Sequence, residues 1–168
     1  MEYFQSDNRA QSVTWYLLIK WLHIVSSTAL FGTGAGIAFF FARAQRAGDV
    51  RVIASVGSDV VLADMAFTGS AVILQPATGI ALALMSGYPL WTPWLVWSIT
   101  LYFLVGCCWL PVVWLQIRMR DLAIDAADHD LALPAVYQFY YRRWFWLGWP
   151  AFICVLVIFY LMVAKPGF

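Results

Sequence analysis

Long stretches without charge constrain this sequence more than any other feature. No Lys, Arg, Asp or Glu occurs in the 53 residues between Asp64 and Arg118, in the 21 residues 144–164, or in the 22 residues 21–42. Because a helix rises about 1.5 Å per residue and the hydrocarbon core of a bilayer is about 30 Å thick, each stretch can cross a membrane. Only 11% of the residues are charged, too few to cover a soluble globule, so a soluble enzyme is excluded.

Four helices are predicted, over residues 15–42, 60–86, 92–117 and 144–164, in a single membrane domain of residues 1–168. The fold class is an all-α, integral membrane bundle of four helices in up-down-up-down order. An aromatic, amphipathic stretch, 133–141, is predicted to lie along the membrane interface before the last helix. The first apolar stretch is too long for a signal peptide, so it is expected to be retained.

The arginines predict how the chain is oriented. Seven arginines lie in the first and third connections between helices, and none lies in the second. They are Arg43, Arg46, Arg51, Arg118, Arg120, Arg142 and Arg143. Because basic connections stay in the cytoplasm, both termini are predicted on the external side of a bacterial inner membrane. The net charge of +1 includes no basic block, so the lipid bilayer is a predicted partner and nucleic acid is not.

Helix one carries two polar residues of special interest, Lys20 and His23, one turn apart, with Ser27 next on the same face. A neutral imidazole inside a membrane bundle is a common axial ligand of haem iron, and a lysine nearer the interface can meet a propionate. The pair therefore predicts a haem b site with His23 as the metal ligand. A histidine that hydrogen-bonds to a neighbouring helix, beside a snorkelling lysine, explains the pair equally well.

Helix two carries a stripe of small and polar residues at three- and four-residue spacing. Its members are Asp64, Thr68, Ala71, Gln75, Thr78, Gly79 and Leu82. The stripe is predicted to face the bundle interior, with Gln75 within about 5 Å of the depth of His23, so that both line one pocket. An equal alternative is that Gln75 satisfies the carbonyl near Val72 that Pro76 leaves without a donor. Asp64 is expected near the cytoplasmic end, either paired with an arginine or at the start of a proton path.

Three sequence elements together resemble a known family. They are Lys20, Trp21, Leu22 and His23; the stretch 64–79 with Phe67, Thr68, Gln75, Pro76 and Gly79; and the ending Met162, Val163, Ala164, Lys165 and Pro166. Over nearly its whole length the chain resembles the bacterial membrane proteins of domain-of-unknown-function family 2269.

The first and last of these elements are also similar to the HemJ-type protoporphyrinogen IX oxidase, a four-helix inner-membrane protein that binds haem b. That similarity implies that His23 serves the haem. The HemJ type also has an essential lysine in its third helix, soon after a tryptophan. No lysine occurs here between Lys20 and Lys165, so the similarity does not extend to the residue on which the oxidase activity depends.

Two functions from different classes fit these residues. The first is a haem b-binding membrane protein with a redox or electron-transfer role, in which Ser27, Gln75, Thr78 and Gly79 surround the cofactor beside His23. The alternative is a cofactor-free accessory or scaffold subunit whose polar stripe only holds helices together. A porphyrin or quinone, and a second copy or a partner membrane subunit, are the further partners considered. A transporter is disfavoured, because four helices without a repeat offer no alternating halves.

Overall fold

The computed structural model describes residues 2–167 and, among these, the side chains of residues 11–167. The elements are α1 (Glu2–Ala47), α2 (Val50–Ala63), a π-helical turn (Asp64–Thr68), α3 (Gly69–Met85), α4 (Pro93–Asp128) and α5 (Ala135–Ala164). The π-helical turn joins α2 and α3 into one continuous helix, so four helices are long and apolar enough to cross a membrane. The prediction of an all-α, four-helix membrane protein is confirmed.

The helices extend beyond their apolar stretches. α4 continues to Asp128, so much of the polar segment predicted as the third connection is helical. α2 begins directly after Asp49, whose carboxylate accepts hydrogen bonds from the backbone N–H groups of Arg51 and Val52, as a typical N-cap does. The apolar pattern marks the part of a helix that lies in hydrocarbon, whereas charged residues continue the same helix into water.

The segment predicted to lie along the interface is part of α5 instead. Tyr137 is fully buried, and its hydroxyl accepts a hydrogen bond from the side chain of Gln45 on α1. This contact directs the first turns of α5 into the bundle, because a buried phenol needs a polar partner. The structure therefore corrects the prediction for residues 133–141.

Two clusters of buried side chains close the two ends of the bundle. The larger, here called the arginine-end cluster, lies beside the two connections that carry charges. It is formed by Ile37, Phe41, Ala44, Ile53, Ala54, Val60, Leu115, Met119, Ala123, Tyr137 and Trp144. The smaller, here called the hairpin-end cluster, lies beside the connection between α3 and α4. It is formed by Ala83, Trp94 and Leu95, with Tyr88, Ile99 and Met162 packed against them.

Between these clusters the helices pack as two pairs. α1 packs against α3, and α4 packs against α5, while α2 contacts both α1 and α4 near the arginine end. α1 and α5 come close at few points, and α3 and α4 make very few close backbone contacts. A cavity therefore lies between the pairs, and this arrangement decides which polar residues meet.

Candidate functional site

His23 lies at the contact between α1 and α3. Its Nδ1 atom is 2.8 Å from the hydroxyl oxygen of Thr78. A Cβ atom on Gly79 would lie 3.2 Å from His23 Cε1, closer than ordinary van der Waals contact. The imidazole therefore rests on the bare backbone of Gly79, and a glycine is required there for its present position.

The hydrogen bonds around Thr78 favour one tautomer of His23. The Thr78 hydroxyl is 2.6 Å from the backbone carbonyl of Leu74, to which it donates. A hydroxyl has one proton, so when Thr78 donates to Leu74 its oxygen accepts from His23, and Nδ1 then carries the imidazole proton. His23 Nε2 then has a free lone pair. Histidines that bind metals are commonly held in this way, with the other ring nitrogen donating to a fixed acceptor.

Gln75 holds the same turn of α1 through its side-chain amide. The amide nitrogen donates to the backbone carbonyl of His23 at 2.8 Å and to the hydroxyl of Ser26 at 2.6 Å. Ser26 is buried, and the sequence patterns did not predict that it belongs to this group. Its spacing of three residues from His23 is the signal that could have revealed it.

The carbonyl that Pro76 leaves without a donor has a different partner. The hydroxyl of Tyr102 on α4 donates to the backbone oxygen of Val72. Gln75 is therefore not needed there, and the alternative role considered for its amide is not the one observed. Tyr102 bridges the two helix pairs at a level where α3 and α4 are otherwise separated.

The remaining predicted residues, Ser27 and Lys20, lie apart from the imidazole. The Ser27 hydroxyl donates to the carbonyl of Ile24 in its own helix, and the residue lines the cavity together with Gln75. Lys20 is exposed, and its ammonium lies 5.8 Å from the centre of the Tyr16 ring. The structure thus brings His23, Gln75, Thr78 and Gly79 together and leaves Lys20 outside the group. Of these four only Gln75 lines the cavity, so the prediction that His23 and Gln75 line one pocket is wrong.

The cavity between the helix pairs has a volume of about 390 Å³, within the usual range for small-molecule sites. Gly34 on α1, Gly106 on α4 and Gly148 on α5 all line it, and a Cβ built on any of them would meet no atom within 4 Å. Aromatic side chains span it elsewhere: the rings of Phe31 and Phe152 stack with their centres 5.1 Å apart. The walls are therefore flat, apolar and open to occupation.

A polar group closes the arginine end of the cavity around Asp64, which is buried. The indole N–H of Trp109 donates to Asp64 Oδ1 at 3.3 Å. The Gln116 amide, in the orientation that satisfies both neighbours, donates to Asp64 Oδ2 at 3.0 Å and accepts from Trp144 Nε1 at 3.2 Å. The expected pairing of Asp64 with an arginine is wrong among the described residues, because neutral donors from α4 reach both oxygens.

Comparison with known families identifies the chain. The family described as "Predicted integral membrane protein (DUF2269)" matches residues 17–166. The chain belongs to this family. The predicted resemblance to it is confirmed, and the similarity to the HemJ type is not shown by this match. No curated protein and no solved structure matches the chain.

Proposed function

We propose that this membrane protein binds haem b and serves a redox or electron-transfer role, with His23 as the axial ligand. The observation that carries the proposal is the 2.8 Å contact between His23 Nδ1 and the Thr78 hydroxyl, because with the proton on Nδ1 the lone pair of Nε2 is free to bind a metal. An imidazole in that state is ready to bind iron without losing a proton. Metal-ligand histidines in other proteins share this arrangement of ligand and outer partner.

The residues around His23 fit such a role. Thr78 accepts from Nδ1 and fixes the orientation of the ring, and Gly79 leaves room for it. Gln75 and Ser27 also line the neighbouring cavity, whose apolar and glycine walls suit the face of a macrocycle, whereas His23, Thr78 and Gly79 are not among its lining residues. When bound, haem b supplies reversible one-electron chemistry at its iron.

His23 would be the only histidine of this chain on the iron. The other histidine, His129, follows α4 and is exposed. The exposed ammonium of Lys20, one turn from His23, is available for a charge-assisted hydrogen bond to a propionate.

The test is the absorption spectrum of the protein purified in detergent, before and after dithionite reduction. A Soret band with α and β bands on reduction is expected for the wild type. His23→Ala should abolish the bands while the protein stays folded, and His129→Ala, the matched control, should leave them unchanged. Lys20→Ala should weaken haem retention without shifting the Soret band.

A wild-type protein without pigment after expression with added haem precursor would contradict the proposal. Equal haem content and Soret position in His23→Ala would remove His23 as the ligand. Either result would favour the cofactor-free scaffold, in which the bonds from Gln75 and His23 serve only to hold α1 against α3.

We further propose that the protein lies in the bacterial inner membrane with both termini outside. This rests on the absence of any Lys or Arg between α3 and α4, compared with seven arginines in the helix ends that flank the other two connections. A single cysteine introduced as Gly87→Cys, in a background without the native cysteines, should be labelled by an impermeant maleimide from the external side. Labelling from the cytoplasmic side alone would invert the orientation.

A further inference from the structure

The arginine end of the cavity contains a polar group that the proposed haem site does not use. Asp64, Thr68 and Gln116 are 3%, 6% and 3% exposed, and all three line the cavity. By helix rise, Asp64 lies roughly 16 Å from Gln75 along their shared helix. The group is therefore a separate feature, at the end of the cavity opposite Gln75.

Thr68 is the unusual member of this group. Its hydroxyl makes no hydrogen bond of normal geometry with any described residue, although the Asp64 carboxylate, one turn earlier, is near enough to interact with it. A buried hydroxyl without a partner is costly, and native proteins rarely keep one without a reason. Because Thr68 faces the cavity, a molecule in the cavity can supply the partner.

Asp64 adds an acceptor beside that hydroxyl. Its two oxygens receive one donor each, from Trp109 and Gln116. A carboxylate oxygen has more than one lone pair, so each can accept again. Together, Thr68 and Asp64 present a hydroxyl that can donate and a carboxyl that can accept, which suits a ligand carrying a carbonyl or a hydroxyl.

The walls and the entrance restrict the rest of the ligand. Trp109, Trp144 and Phe152 line the cavity, and aromatic faces favour a flat ring beside them. Because α1 and α5 come close at few points, we expect a ligand to enter between these two helices from the lipid. A charged molecule pays a large desolvation penalty on that path, so a neutral, lipid-soluble molecule is favoured.

We propose that the arginine end of the cavity binds the oxygen-bearing ring of a neutral molecule of the quinone and quinol class. The Thr68 hydroxyl donates to a ring oxygen, and the Asp64 carboxyl accepts from a ring hydroxyl when the ligand is reduced. The ring lies among the tryptophans, and the apolar tail follows the cavity towards Phe31 and Phe152. This binding does not depend on haem at His23.

The experiment measures the binding of decylubiquinone to the full-length protein in lipid nanodiscs, followed by quenching of tryptophan fluorescence. Saturable quenching is expected, because Trp109 and Trp144 border the site. Thr68→Val should raise the Kd about three- to tenfold, the usual effect of losing one hydrogen bond. Thr100→Val should leave the Kd unchanged, since Thr100 is exposed and bonds only within α4.

Two further measurements distinguish a hydrogen bond to the quinone from a damaged fold and from simple partitioning of an apolar molecule. Thr68→Val removes an unpartnered hydroxyl and keeps the shape of the side chain, so its melting temperature should equal or exceed that of the wild type. Decylbenzene, which lacks ring oxygens, should bind with a Kd that Thr68→Val does not change. His23→Ala should bind decylubiquinone at least as tightly as the wild type, because His23 does not line the cavity and haem held there would only compete for the same space.

Several results would overturn the proposal. These are an absence of saturable quenching, the same Kd in Thr68→Val as in Thr100→Val, and equal displacement of the quinone by decylbenzene. Binding of tetraphenylphosphonium that is lost in Asp64→Asn, without binding of the quinone, would instead make the site one for lipophilic cations.

Discussion

The contact between Gly79 and His23 gives the sharpest test of the geometry at the candidate site. In Gly79→Ala the new methyl group would lie 3.2 Å from His23 Cε1, so the imidazole must move by a few tenths of an ångström. That movement strains its 2.8 Å contact with the Thr78 hydroxyl. The substitution therefore acts on the same hydrogen bond that leaves Nε2 free.

Two effects of opposite sign set the magnitude. Overfilling a packed site costs about 1–3 kcal/mol, while alanine is favoured over glycine inside a helix by about 0.5–1 kcal/mol. The net effect is a loss of roughly 1 kcal/mol, which lowers the melting temperature by about 2–4 °C in a chain of this size. Gly32→Ala is the matched control, because nothing lies within 4 Å of a Cβ at Gly32.

The assay is thermal unfolding in one detergent, for both single variants and for Gly79→Ala combined with His23→Ala. Without the imidazole the methyl group meets no ring, so Gly79→Ala should become neutral or stabilising in that background. The double-mutant cycle isolates this pairwise term. If Gly79→Ala lowered stability equally with His23 and with Ala at position 23, the close contact between His23 and Gly79 would be refuted.

Three other perturbations test separate contacts of the structure. Tyr102→Phe should lower stability by about 1–3 kcal/mol in thermal unfolding, because the buried carbonyl of Val72 loses its donor. Asp64→Asn should cost a similar amount, about 1–3 kcal/mol, because an amide offers one acceptor where two donors converge. The pKa of His129, measured by NMR titration, should lie above its ordinary value because of the hydrogen bond to the Asp125 carbonyl and the Asp125 carboxylate. A raised pKa stabilises the fold below the unfolded-state pKa, and that contribution is lost as pH rises through the folded-state value.

Each of these predictions has its own control. Pro76→Ala restores a backbone donor to the same carbonyl, so the cost of Tyr102→Phe should largely disappear in that background; a full cost there contradicts the assignment. Asp59→Asn, at an exposed carboxylate, should be neutral, and an Asp64→Asn variant equally neutral would mean that Asp64 is hydrated. A pKa of His129 at or below its ordinary value would contradict the described contact with Asp125.

The hydrogen-bond partners of Asp64 could not be predicted from the order of residues along the chain. Its position near the arginines of the connections suggests a hydrated ion pair, and that expectation makes Asp64→Asn appear harmless. The structure instead surrounds it with Trp109, Gln116 and Trp144, which lie 45 or more positions away in the sequence. Two neutral donors on α4, one of them held in turn by Trp144 on α5, cannot be inferred from the spacing of residues within one helix.

The stripe on the second helix was predicted more successfully. Its spacing alone indicates that Gln75, Thr78 and Gly79 share a face, because a helix returns to the same side every three to four residues. Depth counted along the helices places that face near His23, and the two meet in the structure. The spacing did not predict which atoms form hydrogen bonds. The Gln75 amide donates to the His23 carbonyl and the Ser26 hydroxyl, and the Tyr102 hydroxyl donates to the Val72 carbonyl.

The sequence by itself determined that the chain is a four-helix membrane protein, because the length of an uncharged stretch is compared with a fixed bilayer thickness. It also determined which residues share a helix face, because that depends only on helical periodicity. Only the tertiary structure decided how the helices pair, that Tyr137 turns inward, and that Thr68 is left without a partner among the described residues beside a cavity. These features depend on distances between helices, which side-chain packing sets and no local periodicity encodes.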